Sequence, residues 1–231
     1  MPLRFSMLLL AGLAAALIVV SLVSVWQTRT LHEAELKRQL AADAAAPRGA
    51  VVLLGDSIFE GLDTTALTPG ALNFGIGGDT SRGLLDRISR YSSLTAARAI
   101  FLEIGINDLL HSTRDDVVAN YRRILAALPN QPRLYLIGIL PIDERAFVAA
   151  CGDLASNATI ARLNLGIREL CLRRDNCVHL QPFGGGALLP AYHNGDGVHL
   201  SEAGYGALET AIKAALAEPS TKAERAELTP R

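Results

Sequence analysis

Four short stretches of this sequence place reactive side chains at the ends of apolar runs, where a group is aimed rather than buried. "GDSIFEG" puts Ser57 two residues past Gly55, on what reads as a strand-to-helix turn. "EIGINDLL" puts Asn107 two residues past Gly105, and "NGDGVHLSEAGY" puts Asp196 and His199 three residues apart, just ahead of a helical pattern. On a tight loop, positions i and i+3 lie close, so the carboxylate of Asp196 can hold one ring nitrogen of His199 and leave the other free to take a proton. The fourth stretch, "ALNFGIGGDTSRG" (71–83), is a glycine-rich loop able to offer backbone N–H groups to negative charge.

Taken singly, each has a plainer reading. Ser57 caps a helix, Asn107 hydrogen-bonds its own turn, and Asp196 and His199 are ordinary loop residues. Taken together they supply a nucleophile, a base, an orienter for the base, and donors for a developing oxyanion. A phosphate-binding reading of "GIGGDT" is weaker: after Gly75 and Gly77, the third glycine of the G-x-G-x-x-G spacing is replaced by Thr80, and no Lys-Ser or Lys-Thr pair follows.

The elements that must position these residues alternate along the chain. "AVVLLG" (50–55), "ALNF" (71–74), "RAIFLEIG" (98–105), "RLYLIGIL" (133–140) and "CVHLQPF" (177–183) read as buried strands, most of them continuous in apolar character. Between them lie helical patterns starting at Thr80, Thr113, Ser156 and Ser201, of which Thr113 and Ser201 read as caps. Alternation of this kind predicts an α/β domain with a parallel sheet covered on both faces, and ligands of such sheets lie beyond the carboxyl ends of the strands. The stretch "PIDERAFVAACGDLASN" (141–157) reads as a loop long enough to wall that rim.

Four blocks in order, "GDS" (55–57), "NFGIGGDT" (73–80), "GIND" (105–108) and "DGVH" (196–199), resemble the SGNH, or GDSL-type, hydrolases over roughly residues 50–217. "ALNFGIGGDTSR" and "GILP" (138–141) are similar to the catalytic subunits of platelet-activating-factor acetylhydrolases, and "GDTSRGL" to a bacterial periplasmic thioesterase and lysophospholipase. The resemblance implies a three-layer α/β/α, flavodoxin-like domain with a five-stranded parallel sheet. It implies a serine esterase working through an acyl-serine, with Ser57 as nucleophile, His199 as base and Asp196 as its orienter. The oxyanion hole it implies consists of the Ser57 N–H, the Gly78 N–H and the Asn107 side-chain amide. Asp56 and Asp79 match block positions as loop braces, whereas His32, His111, His179 and His193 match nothing and read as surface or packing residues. No cofactor or metal is implied. The partner is an ester substrate, either a small molecule or an acylated lipid or glycan. A non-catalytic, membrane-anchored binding protein on the same fold is the alternative.

Outside this domain, "FSMLLLAGLAAALIVVSLVSVW" (5–26) runs 22 residues without a charge, long enough to span a hydrocarbon core. It predicts a signal-anchor helix within residues 1–26, attaching the chain to a membrane with the catalytic domain outside the cytoplasm; cleavage would give a secreted form. Residues 27–49 read as a partly helical spacer and 218–231 as a disordered tail. Lys and Arg number 22 against 23 Asp and Glu, a net charge of −1 that gives no electrostatic reason to expect nucleic acid. The three cysteines lack zinc-ligand spacing. Either Cys171 and Cys177 close the turn "CLRRDNC", leaving Cys151 free, or all three stay reduced. "NAT" at Asn157 reads as a chance match to a glycosylation sequon.

Overall fold

The computed structural model describes residues 30–110, 114–152 and 154–218. Residues 5–26, read as a membrane anchor, the Thr113 cap, His111 and all but the first residue of the tail lie outside the described residues. Among the described residues no helix is long and apolar enough to cross a membrane. Helix α1 occupies residues 30–44, and the chain divides within it into two units, Met1–Gln39 and Leu40–Arg231. In the second unit the Asp43 carboxylate accepts from the backbone and hydroxyl groups of Ser92 and Ser93 at 2.5–3.0 Å. That end of the segment read as a spacer is therefore latched to the domain.

Five short apolar runs pair as one parallel sheet: β1 (Val51–Gly55), β2 (Leu72–Gly75), β3 (Ala99–Glu103), β4 (Arg133–Ile137) and β5 (Cys177–Leu180), in the order β2-β1-β3-β4-β5. Every residue of β1 and β3 is buried, as expected of central strands covered on both faces. Successive side chains point to opposite faces. Val51, Leu53, Phe101, Tyr135 and Ile137 pack with Ile58 and Phe59 of α2 (Ser57–Glu60) and with Leu208 and Ile212 of α7 (Glu202–Ala217). On the other side α3 (Ser81–Arg87), α4 (Arg114–Ala127) and α6 (Asn157–Leu172) pack in series, α6 also lying on β4 and β5.

The helix boundaries follow their caps. Thr80, Ser156 and Ser201 accept from the backbone N–H three residues on, opening α3, α6 and α7. The stretch 141–157 is not wholly loop: α5 (Glu144–Cys151) forms inside it, capped by the Asp143 carboxylate. The cysteine alternatives resolve into a disulfide between Cys171 and Cys177, joining the end of α6 to the start of β5, with Cys151 free and exposed. The Asn157 side chain is occupied in clamping the backbone of Ile142 through its N–H and C=O.

The connections give the fold its functional consequence. From β1 the chain moves to one side, to β2, and then crosses back to β3 on the other, so the strand order reverses between β1 and β3. In an open parallel sheet that switch point leaves a crevice at the carboxyl ends. Ser57 follows β1 and Asn107 follows β3 across it.

Candidate active site

Ser57 is the first residue of α2, and the Asp56 carboxylate caps that helix by accepting from the Ile58 N–H at 3.0 Å. From the far end of the sequence the His199 ring comes up to it, with Nε2 3.0 Å from Ser57 Oγ. Its other nitrogen, Nδ1, lies 2.6 Å from Asp196 Oδ2. Asp196 Oδ1 meanwhile accepts from the Val198 and His199 N–H groups, both at 2.9 Å, so the carboxylate also folds the turn that carries the histidine. Burial works against its charge, but these backbone bonds and the His199 ring hold Asp196 below the ordinary carboxylate range. An ionised Asp196 keeps the Nδ1 proton in place and leaves Nε2 as the acceptor for the serine proton.

The glycine loop sits alongside. Gly78 adopts φ +73°, a left-handed conformation that a side chain disfavours, in a turn closed by the Asp79 N–H donating to Ile76 C=O at 3.1 Å. Neither the Ser57 N–H nor the Gly78 N–H is committed to a protein acceptor among the described residues. The Asn107 amide donates one hydrogen to Asp79 C=O at 2.9 Å, which fixes its orientation and leaves the second. The five residues named from the sequence thus stand around the switch point as two linked groups.

A residue that carries no sequence signal holds the second group together. Arg87, at the end of α3, is buried and donates to Asp79 Oδ2 (2.8 Å), to the carbonyls of Phe74 and Gly55 (3.0 Å each) and to the Tyr91 hydroxyl (2.6 Å). One guanidinium therefore ties the ends of β1 and β2 to the glycine loop, using the planar fork that a lysine lacks. Across the crevice Asp108 accepts from the Ser81 N–H (2.8 Å) and hydroxyl (2.5 Å), joining the Asn107 turn to the start of α3. Beneath Ser57 the Asp56 and Glu103 carboxyls are fully buried, and burial pushes both up, Asp56 to about 7. The Asp56 charge raises Glu103 further, and Asp56 Oδ2 and both Glu103 carboxyl oxygens have no hydrogen-bond partner.

Of the histidines set aside in the sequence, His193 is not a surface residue: its ring is buried beside the Asp196 turn, against Asp143 and the backbone of Gly195 and Gly197. His179 lies on β5. No group of three His, Cys, Asp or Glu side chains among the described residues is arranged to hold a metal. A cavity of about 210 Å³ lined in part by Ile139, Ile160, Leu165 and Gly184 lies at the β4–β5 side and includes none of the five residues.

Residues 53–207 match the model of the GDSL-like lipase/acylhydrolase family. No curated protein sequence gives a match. Among solved structures, the chain is similar to a protein of Streptococcus pneumoniae described provisionally as a platelet activating factor, at 26% identity and TM-score 0.76, over 86% of this chain and 98% of that one. It is also similar to a GDSL-like lipase from Bacteroides thetaiotaomicron (24% identity, TM-score 0.65, 78% of this chain and 96% of that one). At 18% identity and TM-score 0.59, over 77% and 98% of the two chains, an acetylxylan esterase from Geobacillus stearothermophilus shares the fold. With two thirds of its length matched by the family model, the chain belongs to the GDSL-like lipase/acylhydrolase family and is a carboxylic ester hydrolase.

Proposed function

We propose that the protein is a serine esterase that works through an acyl-serine intermediate, with Ser57, His199 and Asp196 as its relay. The observation that carries this reading is the unbroken hydrogen-bonded series from Ser57 Oγ through the His199 ring to Asp196, beside three unspent donors. Ser57 Oγ passes its proton to His199 Nε2 and attacks the ester carbonyl carbon. The carbonyl oxygen becomes negative and is held by the Ser57 N–H, the Gly78 N–H and the second hydrogen of the Asn107 amide. As the intermediate collapses, His199 returns the proton to the leaving alcohol. A water then gives a proton to His199 and attacks the acyl-serine, and as that intermediate collapses His199 passes the proton to Ser57 Oγ, releasing the acid and the free serine.

The His199 side chain is 45% exposed, which suits esters whose leaving group is too large for a closed pocket. The substrates that fit are acyl or acetyl esters carried on a lipid or a glycan. Membrane attachment through residues 5–26, with this domain outside the cytoplasm, is part of the same proposal. Its support is the uncharged 22-residue run together with the Cys171–Cys177 disulfide, a bond that persists in oxidising compartments.

The test is incubation of the full chain with a fluorophosphonate and mapping of the modified residue. Labelling is expected at Ser57 and is expected to vanish in Ser57→Ala. Folded protein that takes up no label would overturn the nucleophile assignment. A panel of p-nitrophenyl acetate, long-chain acyl esters, acyl thioesters and O-acetylated sugars then ranks the substrate class.

A further inference from the structure

The loop that carries the relay's base is short, and its backbone is permissive. It leaves from an antiparallel bridge between His193 and Leu200, and the Asn194 N–H donates to His199 C=O at 2.9 Å to close its neck. Inside that neck Asp196 stands between two glycines in left-handed conformations, Gly195 at φ +111° and Gly197 at φ +82°. Glycines at these positions permit the turn but do not enforce it. The Asp196 carboxylate folds the turn on itself through the Val198 and His199 N–H groups, but those bonds are internal to the loop and do not anchor it to the rest of the domain.

The His193 ring supplies the anchor. Its Nδ1 accepts from the Gly195 N–H and the Gly197 N–H, each at 3.1 Å, so one nitrogen grips the backbone on both sides of Asp196. Two donors at Nδ1 require the ring proton to sit on Nε2, which lies 3.3 Å from Asp143 Oδ2. Asp143 takes hold of the same loop a second time, its N–H donating to Gly197 C=O at 2.9 Å. Its remaining carboxylate oxygen caps α5 through Arg145 and Ala146, which fixes the far end of the arrangement to a helix. Gly197 is seated closely: a Cβ there would come within 2.5 Å of Asp143 C=O.

We propose that His193, braced by Asp143, is a positioning residue for the esterase reaction, holding the Asp196–His199 turn in register through the backbone of Gly195 and Gly197. The inference rests on the serine-esterase reading above. It assigns to α5, through its cap, a part in setting the general base. Without the ring the two N–H groups lose their acceptor and the turn is free to shift, and a displacement of about 1 Å at a reacting group costs on the order of a hundredfold in rate.

The experiment uses the full chain with His193→Ala, His193→Asn and His193→Gln. The kcat and KM for p-nitrophenyl acetate are normalised to sites counted with a fluorophosphonate. His193→Ala is expected to lose about tenfold to a hundredfold in kcat with KM within about twofold. Asn places an acceptor near the Nδ1 position and is expected to restore most of kcat. Gln places its amide near Nε2, keeps the reach to Asp143, and is expected to remain impaired. Wild-type kcat per labelled site in His193→Ala, or equal behaviour of the Asn and Gln variants, would overturn the proposal. If the Ala variant does not fold, the Asn and Gln pair decides alone. A readout independent of turnover is the downfield proton resonance of the His199–Asp196 hydrogen bond, expected in the wild type and His193→Asn and lost in His193→Gln. That pattern in a protein without turnover would break the esterase reading and leave the clamp standing; the resonance unchanged in all variants would break the clamp.

Discussion

At the scale of single residues, the oxyanion side of the site separates two reasons for a glycine. An ideal Cβ at Gly78 meets nothing within 4 Å, so crowding does not demand glycine there; the φ of +73° does. A non-glycine residue in that region costs roughly 1–2 kcal/mol, a cost the turn can shed by rotating the peptide and carrying the N–H away from the site. Gly78→Ala is therefore expected to fold and to lose on the order of tenfold in kcat, less than outright loss of a donor because the peptide can still be held in place at that cost. Asn107→Ala removes a donor outright and is expected to lower kcat about a hundredfold or more, with KM nearly unchanged because the interaction forms only as charge develops. Steady-state kinetics on p-nitrophenyl acetate check both. A wild-type kcat in either variant removes that group from the oxyanion hole.

At the scale of elements, the disulfide and the site occupy opposite ends of the sheet. Cys177 begins β5, whereas Ser57 and Asn107 follow the carboxyl ends of their strands. A bridge spanning six positions closes a small loop, for which chain entropy gives about 2 kcal/mol. Reduction, or Cys171→Ser with Cys177→Ser, is thus expected to lower Tm by about 4–8 °C in a domain of this size. Thermal unfolding and kcat/KM on the same samples check this, with kcat/KM at the temperature of full folding expected to stay at the wild-type value. A parallel loss of kcat/KM would contradict the separation. The five strands and helices α3, α4, α6 and α7 were legible in the sequence because continuous apolar runs and helical apolar periods are local signals. Helix α5 was not, being eight residues inside a mixed stretch and dependent on Asp143, whose orientation is set by the Asp196 loop. The site shows the same division. Ser57, Gly78, Asn107, Asp196 and His199 lie in short motifs at strand ends, whereas Arg87 reaches Phe74 and Gly55 on two different strands and His193 depends on Asp143, 50 positions away. A buried arginine on a helix and a lone histidine in a loop have no local pattern to mark them.

At the scale of the whole molecule, the switch point that creates the site also concentrates buried acid. Asp56 ends the turn after β1 and Glu103 ends β3, and burial is the main cause that lifts both carboxyls, with Asp79 adding repulsion at Asp56. Asp56 Oδ2 and both Glu103 carboxyl oxygens have no hydrogen-bond partner, and the Asp56 charge raises Glu103 further, so nothing in place compensates a second negative charge. A carboxyl whose folded pKa exceeds its unfolded value near 4 binds its proton more tightly in the folded state. At this pair the folded protein therefore holds more protons than the unfolded chain between about pH 4 and the folded pKa of Asp56, about 7, and the pair's contribution to stability falls as pH rises through that window. Glu103, raised well above its ordinary value, carries the loss to higher pH. Asp196, Asp43 and Asp143 are shifted the other way and lose their contribution only as pH falls below the ordinary carboxylate range, so they do not mask this slope. The double variant Asp56→Asn, Glu103→Gln keeps an acceptor for the Ile58 N–H and side chains of nearly the same shape, but has no proton to lose. Its stability relative to the wild type, from urea unfolding at fixed temperature, is expected to rise by on the order of a few kcal/mol between pH 4 and pH 7. A difference that stays flat across that range would mean that burial raises neither carboxyl in the folded protein.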